Sequence, residues 1–164
     1  MSLGKTIAMS IVIRPMEAHD CETIVGFLRE LAAASGVEPR VTAETLKEHA
    51  LGPRALIDAI VAEKDGALCG VCLTLMTYST WRGAKGIYVV DLYVAPAQRG
   101  AKIGKRLLKE AARHGAERGA TFIKLEVDTL NTRAARFYKR LNFARKENDR
   151  LYVLEADDLQ NWIE

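Results

Sequence analysis

Apolar positions along the chain alternate between two periods, and each switch marks an element. Ser10 to Arg14 reads as a strand stopped by Pro15. From about Asp20 to Ala34, Ile24, Phe27, Leu28 and Leu31 recur at helical steps, and Ser35-Gly36 closes that helix. Thr42 is placed to cap a short helix through Leu51, ended by Gly52-Pro53. Ala55 to Glu63 and Ala67 to Tyr78 form two apolar runs about Asp65-Gly66, a strong hairpin signal. Tyr88 to Val94 is dense in β-branched and aromatic residues, and Pro96 withholds a ladder donor after it. Ile103, Leu107, Leu108, Ala111 and Ala112 then mark a long helix from Lys102 to about Arg118. A strand over Phe122 to Val127, a short helix after Asn131, a last strand over Leu151 to Leu154 and a terminal helix over Asp157 to Trp162 complete the pattern. The expectation is one mixed sheet with helices on both faces.

Composition narrows the class. The 164 residues, 49% hydrophobic and 27% charged, suit one globular domain with a sizeable core. The net charge of +3, with both signs spread along the chain, calls for no nucleic-acid partner. No apolar run approaches the length of a membrane span. Residues 1–9 lack the long apolar core of a signal peptide and are expected to be a flexible segment before a single domain over 10–164, in a cytoplasmic protein. Cys21, Cys69 and Cys72 make no disulfide framework. Cys69 and Cys72 sit in an apolar strand, where small apolar filling explains them better than redox or zinc chemistry. His19, His49 and His114 show no ligand spacing, so no metal is expected.

The chemistry concentrates in Gln98-Arg99-Gly100-Ala101-Lys102-Ile103-Gly104, a glycine-rich turn between a strand and a helix. The helix start offers unpaired N–H groups and the positive end of its dipole. Gly100 and Gly104 allow close approach of an anion, and Arg99, Lys102 and Lys105 add positive charge. The spacing is neither a Walker loop nor a dinucleotide fingerprint. Downstream, Asn131 precedes Ala134, Phe137, Tyr138 and Leu141, which share one helical stripe.

Together these two segments resemble the GCN5-related N-acetyltransferase (GNAT) family. Its first motif is an acyl-CoA pyrophosphate loop, Arg/Gln-x-x-Gly-x-Gly/Ala, and its second is Asn-x-x-Ala-x-x-Phe-Tyr-x-x-Leu-Gly-Phe. The likeness runs from about Ile11 onward in matching element order. Two positions depart from it. Lys102 stands where the loop has its middle glycine, and Asn142 stands for the glycine after the second helix, a place where asparagine tolerates the left-handed conformation.

The resemblance implies an α+β GNAT fold, sandwich-like, with a mostly antiparallel sheet of six to seven strands and helices on both faces. It implies acetyl-CoA as cosubstrate and acetyl transfer to a primary amine by direct attack. Leu92, Tyr93 and Val94 would bind the pantetheine arm where the fourth strand splays. Arg99, Gly100, Ala101, Lys102, Ile103, Gly104 and Lys105 would hold the diphosphate, and Asn131 would hydrogen-bond near cofactor or amine. Tyr138 is the candidate general acid, since a phenol matches a thiol in acidity; the alternative is a packing role beside Phe137. Asp91 is the candidate base, expected to share a strand face with Val89 and Tyr93; the alternative is a cap or salt bridge.

Ile13-Arg14-Pro15, Leu28-Arg29-Glu30-Leu31, Tyr78-Ser-Thr-Trp81 and Val90-Asp91-Leu92-Tyr93-Val94 look like the diamine (spermidine/spermine) acetyltransferases within that family. That subgroup carries acids where this chain has Val90 and Ser79, which favours a small amine other than a polyamine, such as an amino-acid-like one. Glu30, Trp81 and Glu126 are candidate substrate contacts, and the family's habit implies a homodimer. The competing readings are a protein N-terminal or lysine acetyltransferase, and an acyl-CoA-binding regulatory module without turnover.

Overall fold

The computed structural model describes residues 10–33 and 35–163, and the flexible segment expected over residues 1–9 lies outside them. The chain divides after Glu126 into two compact parts.

The first part is built on one sheet. Strands β1 (Ile11–Pro15), β2 (Asp58–Lys64), β3 (Ala67–Ser79), β4 (Ala84–Val94) and β5 (Ala120–Leu125) lie in that order. All neighbours run antiparallel except β4 and β5, which are parallel. The mixed, mostly antiparallel sheet is thus as expected, but it has five strands among the described residues, not six or seven. Leu151–Leu154 forms no strand. A β-prone run becomes a strand only where another edge supplies ladder partners, which sequence pattern cannot guarantee.

Other boundaries shift for local reasons. β2 starts at Asp58 and not at Ala55, because the amides of Leu56 and Ile57 both donate to the His49 carbonyl at 2.8 and 3.1 Å. β4 begins four residues before Tyr88, since Ala84-Lys85-Gly86 pairs with the end of β3. The β2–β3 turn is as read, with Asp65 (φ 53°) and Gly66 (φ 81°) both left-handed, the twist that a two-residue hairpin favours.

Helices cover both faces of this sheet. Helices α1 (Cys21–Ala33) and α2 (Ala43–Leu51) share a core with one face, where Ile24, Val25, Phe27, Leu28 and Leu46 cluster with Ala59, Val61, Val71, Leu73 and Tyr93. Thr42 caps α2 as expected, its side chain accepting from the Thr45 amide. Helix α3 (Ile103–Glu117) lies across the other face through Ile103, Leu107, Leu108 and Ala111. Its approach is close: a Cβ on Gly115 would stand 2.5 Å from the Ile87 side chain. Arg14 ties β1 to the sheet and to a short 3-10 turn (Ala18–Asp20), donating to Asp20 at 2.7 Å and to Glu63 at 2.9 Å.

The second part, from Val127 onward, contains α4 (Thr132–Arg140) and α5 (Ala156–Ile163). Asn131 caps α4 through its side-chain oxygen, 3.0 Å from the Ala134 amide. Asn142 takes φ 65°, the left-handed turn expected after that helix.

Candidate functional site

β4 changes character at Val90. Before it, β4 is paired on both sides; the ladder to β5 ends at Val89–Leu125, while pairing with β3 continues to Val94. The Ala95 amide donates to the Cys69 carbonyl at 2.9 Å. Counting back by the antiparallel alternation, Tyr93 and Asp91 also spend their main-chain groups on β3. Leu92 and Val94 therefore turn their N–H and C=O groups toward the side that β5 has left. Of the three residues expected there, Leu92 and Val94 turn main-chain groups to the open side, whereas Tyr93 turns its main-chain groups to β3. The Val94 carbonyl accepts from Arg99 Nε at 2.9 Å. Arg99 is thus bound to the strand end, and among the described residues its terminal guanidinium nitrogens take no other acceptor.

The glycine-rich turn follows directly. Gly100 (φ 92°) and Lys102 (φ 60°) are both left-handed, and Lys102 is the N-cap of α3. The position where the motif carries glycine is one that demands positive φ, which lysine adopts at a steric cost. The amides of Ile103, Gly104 and Lys105 precede the first helical acceptor and have no partner within α3. A Cβ on Gly100 would meet nothing within 4 Å. Arg99, Lys102 and Lys105 are exposed around this stretch of N–H groups. Such a cradle, at the positive end of a 15-residue helix, fits a diphosphate.

The bulge at Val90 decides which side chains meet. Asp91 pairs with Leu73 but Val89 pairs with Thr74, so one residue is skipped and the strand's alternation reverses. Asp91 shares a face with Tyr93, as expected, but not with Val89. Val89 and Ile87 look toward α3. Tyr88, Asp91 and Tyr93 pair with Leu75, Leu73 and Val71, which alternate regularly, so all three stand on the α1 face. No apolar alternation in Val89-Val90-Asp91 announces a bulge, which is why the sequence misassigned this face.

Three carboxylates border that row. Tyr93 is 3% exposed, stacked on Phe27 with ring centroids 4.7 Å apart, and donates its hydroxyl to Glu30 of α1. Burial, and then the Glu30 carboxylate, push the Tyr93 phenol up to about 12. Tyr88, which the sequence did not single out, has its phenol raised by burial and by Glu126, with Asp91 adding to it. Burial holds the Asp91 carboxyl above its ordinary range. Asp91, Glu30 and Glu126 thus border one face of β4 beside the point where the sheet opens.

Trp81 stands apart. It lies in the β3–β4 turn, 99% exposed, at the end of β4 remote from Val94. The fold does not bring it to Asp91 within this part of the chain.

In the second part, Tyr138 lies on α4 between Phe137 and Phe143, with ring centroids at 5.1 and 5.4 Å. It is half-buried. The Asn131 side-chain oxygen is committed to capping, which leaves its amide nitrogen to donate elsewhere.

Cys21, Cys69 and Cys72 are buried and unpaired. Burial pushes the Cys72 thiol up to about 12, which removes it as a nucleophile at neutral pH. Among the described residues, no three His, Cys, Asp or Glu side chains come together as metal ligands, and no helix is long and apolar enough to cross a membrane.

Known proteins are similar to this chain. The family model described as "Acetyltransferase (GNAT) family" matches residues 19–143. A thialysine N-epsilon-acetyltransferase of Bos taurus is 30% identical over 141 residues, spanning 80% of this chain and 82% of that protein. The human spermidine/spermine N(1)-acetyltransferase-like protein 1 is 34% identical over 106 residues, 59% of this chain and 15% of that protein. Among solved structures, an integron cassette protein from the mobile metagenome of V. cholerae superposes with a TM-score of 0.78 at 20% identity, covering 96% of this chain and 99% of that one. The loop, the α4 motif and these likenesses agree: the chain belongs to the GNAT acetyltransferase family and is an N-acetyltransferase.

Proposed function

We propose that the enzyme transfers an acetyl group from acetyl-CoA to a primary amine of a small cationic molecule, a diamine or an amino-acid-like amine, in a ternary complex. The observation that carries this reading is the continuity of two main-chain surfaces. The outward polar groups of Leu92 and Val94 run directly into the left-handed cradle from Gly100 to Lys105. One surface suits an amide-bearing arm and the other a diphosphate.

Acetyl-CoA, when bound, supplies a thioester carbonyl already activated toward amines. The main-chain groups of Leu92 and Val94 orient the arm and polarise that carbonyl, while Arg99 and the amides of the α3 start hold the phosphates. Asp91, with its raised pKa, takes a proton from the ammonium group so that nitrogen can attack. Tyr138 gives its phenolic proton to the departing sulfur and regains one from solvent. In balance, a C–N bond forms and a C–S bond breaks. The nitrogen gives up two protons, one to Asp91 before attack and one as the tetrahedral intermediate collapses, Tyr138 restores the proton it gives to the thiol, and one proton is released net to solvent. Asp91 and Glu126 favour a cationic acceptor. The name of the thialysine acetyltransferase relative points the same way, toward an amino-acid-like diamine.

A panel of amines assayed for thiol release tests this. Small diamines and basic amino acids are expected to turn over faster than peptide lysines or N-termini. Tight acetyl-CoA binding with no release on any amine would indicate a regulatory module, a reading that Val90 favours by leaving the bulge without a second acid. The enzyme is further proposed to act in the cytoplasm as a homodimer. Leu151, Tyr152, Val153 and Leu154 support the dimer, each at least half exposed in the single chain. Light scattering should then give twice 18.1 kDa.

A further inference from the structure

Glu30 has its carboxylate on the Tyr93 hydroxyl, 63 residues away in sequence, and that contact does more than fill a core. Phe27 and Glu30 are three apart on α1, so they occupy one side of the helix. Phe27 takes the Tyr93 ring and Glu30 takes its oxygen. Tyr93 is the middle residue of Leu92–Val94, and its own main-chain groups are spent on β3. Its side chain is therefore a handle by which α1 grips the free stretch of β4. The bulge at Val90 and the end of the β5 ladder leave that stretch paired on one side only, where pairing alone fixes it less firmly.

We infer that Glu30 is a positioning residue for acetyl-CoA: through Tyr93 it holds β4 at the setting in which Leu92 and Val94 present their main-chain groups, and it does not contact the amine. This rests on the proposed binding of acetyl-CoA along that edge.

The test uses Glu30→Ala, Glu30→Gln, Tyr93→Phe and the double variant Glu30→Ala/Tyr93→Phe in the full chain. Each is assayed for acetyl-CoA affinity by calorimetry and for the separate KM values of acetyl-CoA and amine. Glu30→Ala and Tyr93→Phe should each weaken acetyl-CoA binding by about fivefold, a part of what one hydrogen bond to a charged group is worth since pairing with β3 still holds the strand, with the amine KM unchanged. The double variant should be no weaker than the worse single, because both remove the same bond. Glu30→Gln should recover part of the loss, since its amide oxygen still accepts from the phenol. Without any ligand, amide exchange at Tyr93 and Ala95, which donate to β3, should quicken in Glu30→Ala. A raised amine KM with unaltered acetyl-CoA affinity would overturn the inference and make Glu30 a substrate contact. Additive losses in the double variant would overturn it as well. Failure of the parent protein to bind acetyl-CoA would sink the functional reading itself, while the exchange rates would still report whether Glu30 steadies β4.

Discussion

Burial keeps the Asp91 carboxyl above the ordinary carboxylate range, and this has opposite consequences for activity and stability. As a base, Asp91 works only when ionised, so the acid limb of the rate profile should lie at higher pH than for a free aspartate, and Asp91→Asn should abolish that limb along with most of the turnover. For stability the folded-state pKa lies above the unfolded value. The contribution is fully present below the unfolded pKa and is lost as pH rises through the folded one. At pH 7 the asparagine variant should therefore melt no lower than the parent, a calorimetric result that separates a functional acid from a structural ion pair. Tyr138 is tested differently. Its replacement by phenylalanine keeps the ring packing against Phe137 and Phe143 and removes the hydroxyl that would give the proton. Turnover should fall by at least about tenfold with acetyl-CoA affinity intact. Unchanged turnover would return Tyr138 to a packing role.

At the scale of elements, two local conformations carry measurable costs. Lys102 pays for a left-handed N-cap that glycine would occupy freely. Lys102→Gly should stabilise the fold by about 0.5–1 kcal/mol, the steric relief outweighing the unfolded-state entropy that glycine adds. Chemical denaturation checks this, and a loss of stability would mean that the lysine side chain earns its place by contact. The Arg14–Asp20 pair is the other case. Burial alone would raise the Asp20 carboxyl, but hydrogen bonds from Arg14 and the Glu17 amide outweigh it and hold the group below its ordinary value. Its stabilisation is present above the unfolded pKa and lost as pH falls through the depressed one. Arg14→Ala strands a carboxylate whose side chain is 2% exposed and should cost about 3 kcal/mol, with the acid-unfolding midpoint moved to higher pH.

These elements also show how far sequence alone reaches. Helix stripes and caps were legible because their signals are local: Thr42, Asn131, Asn142 and Asp65-Gly66 each act within three or four residues of themselves. The glycine-rich turn before α3 was legible for the same reason. What escaped depends on partners distant in the chain. The bulge at Val90 exists only against β3, the early start of β4 depends on Thr77–Ser79, and the Tyr93–Glu30 contact spans 63 residues. Leu151–Leu154 failed as a strand because β-propensity supplies no edge to pair with.

For the molecule as a whole, one proposition organises the rest: the opened edge of β4 and the mouth of α3 form a continuous seat for acetyl-CoA. A calorimetric titration of the full chain with acetyl-CoA tests it most directly. The account predicts a single saturable site, weakened as salt rises because Arg99, Lys102 and Lys105 surround the cradle. It further predicts severe loss of binding in Gly104→Asp, which would set a carboxylate among the phosphate-facing amides. No uptake by the folded parent, or equal uptake by that variant, would contradict it.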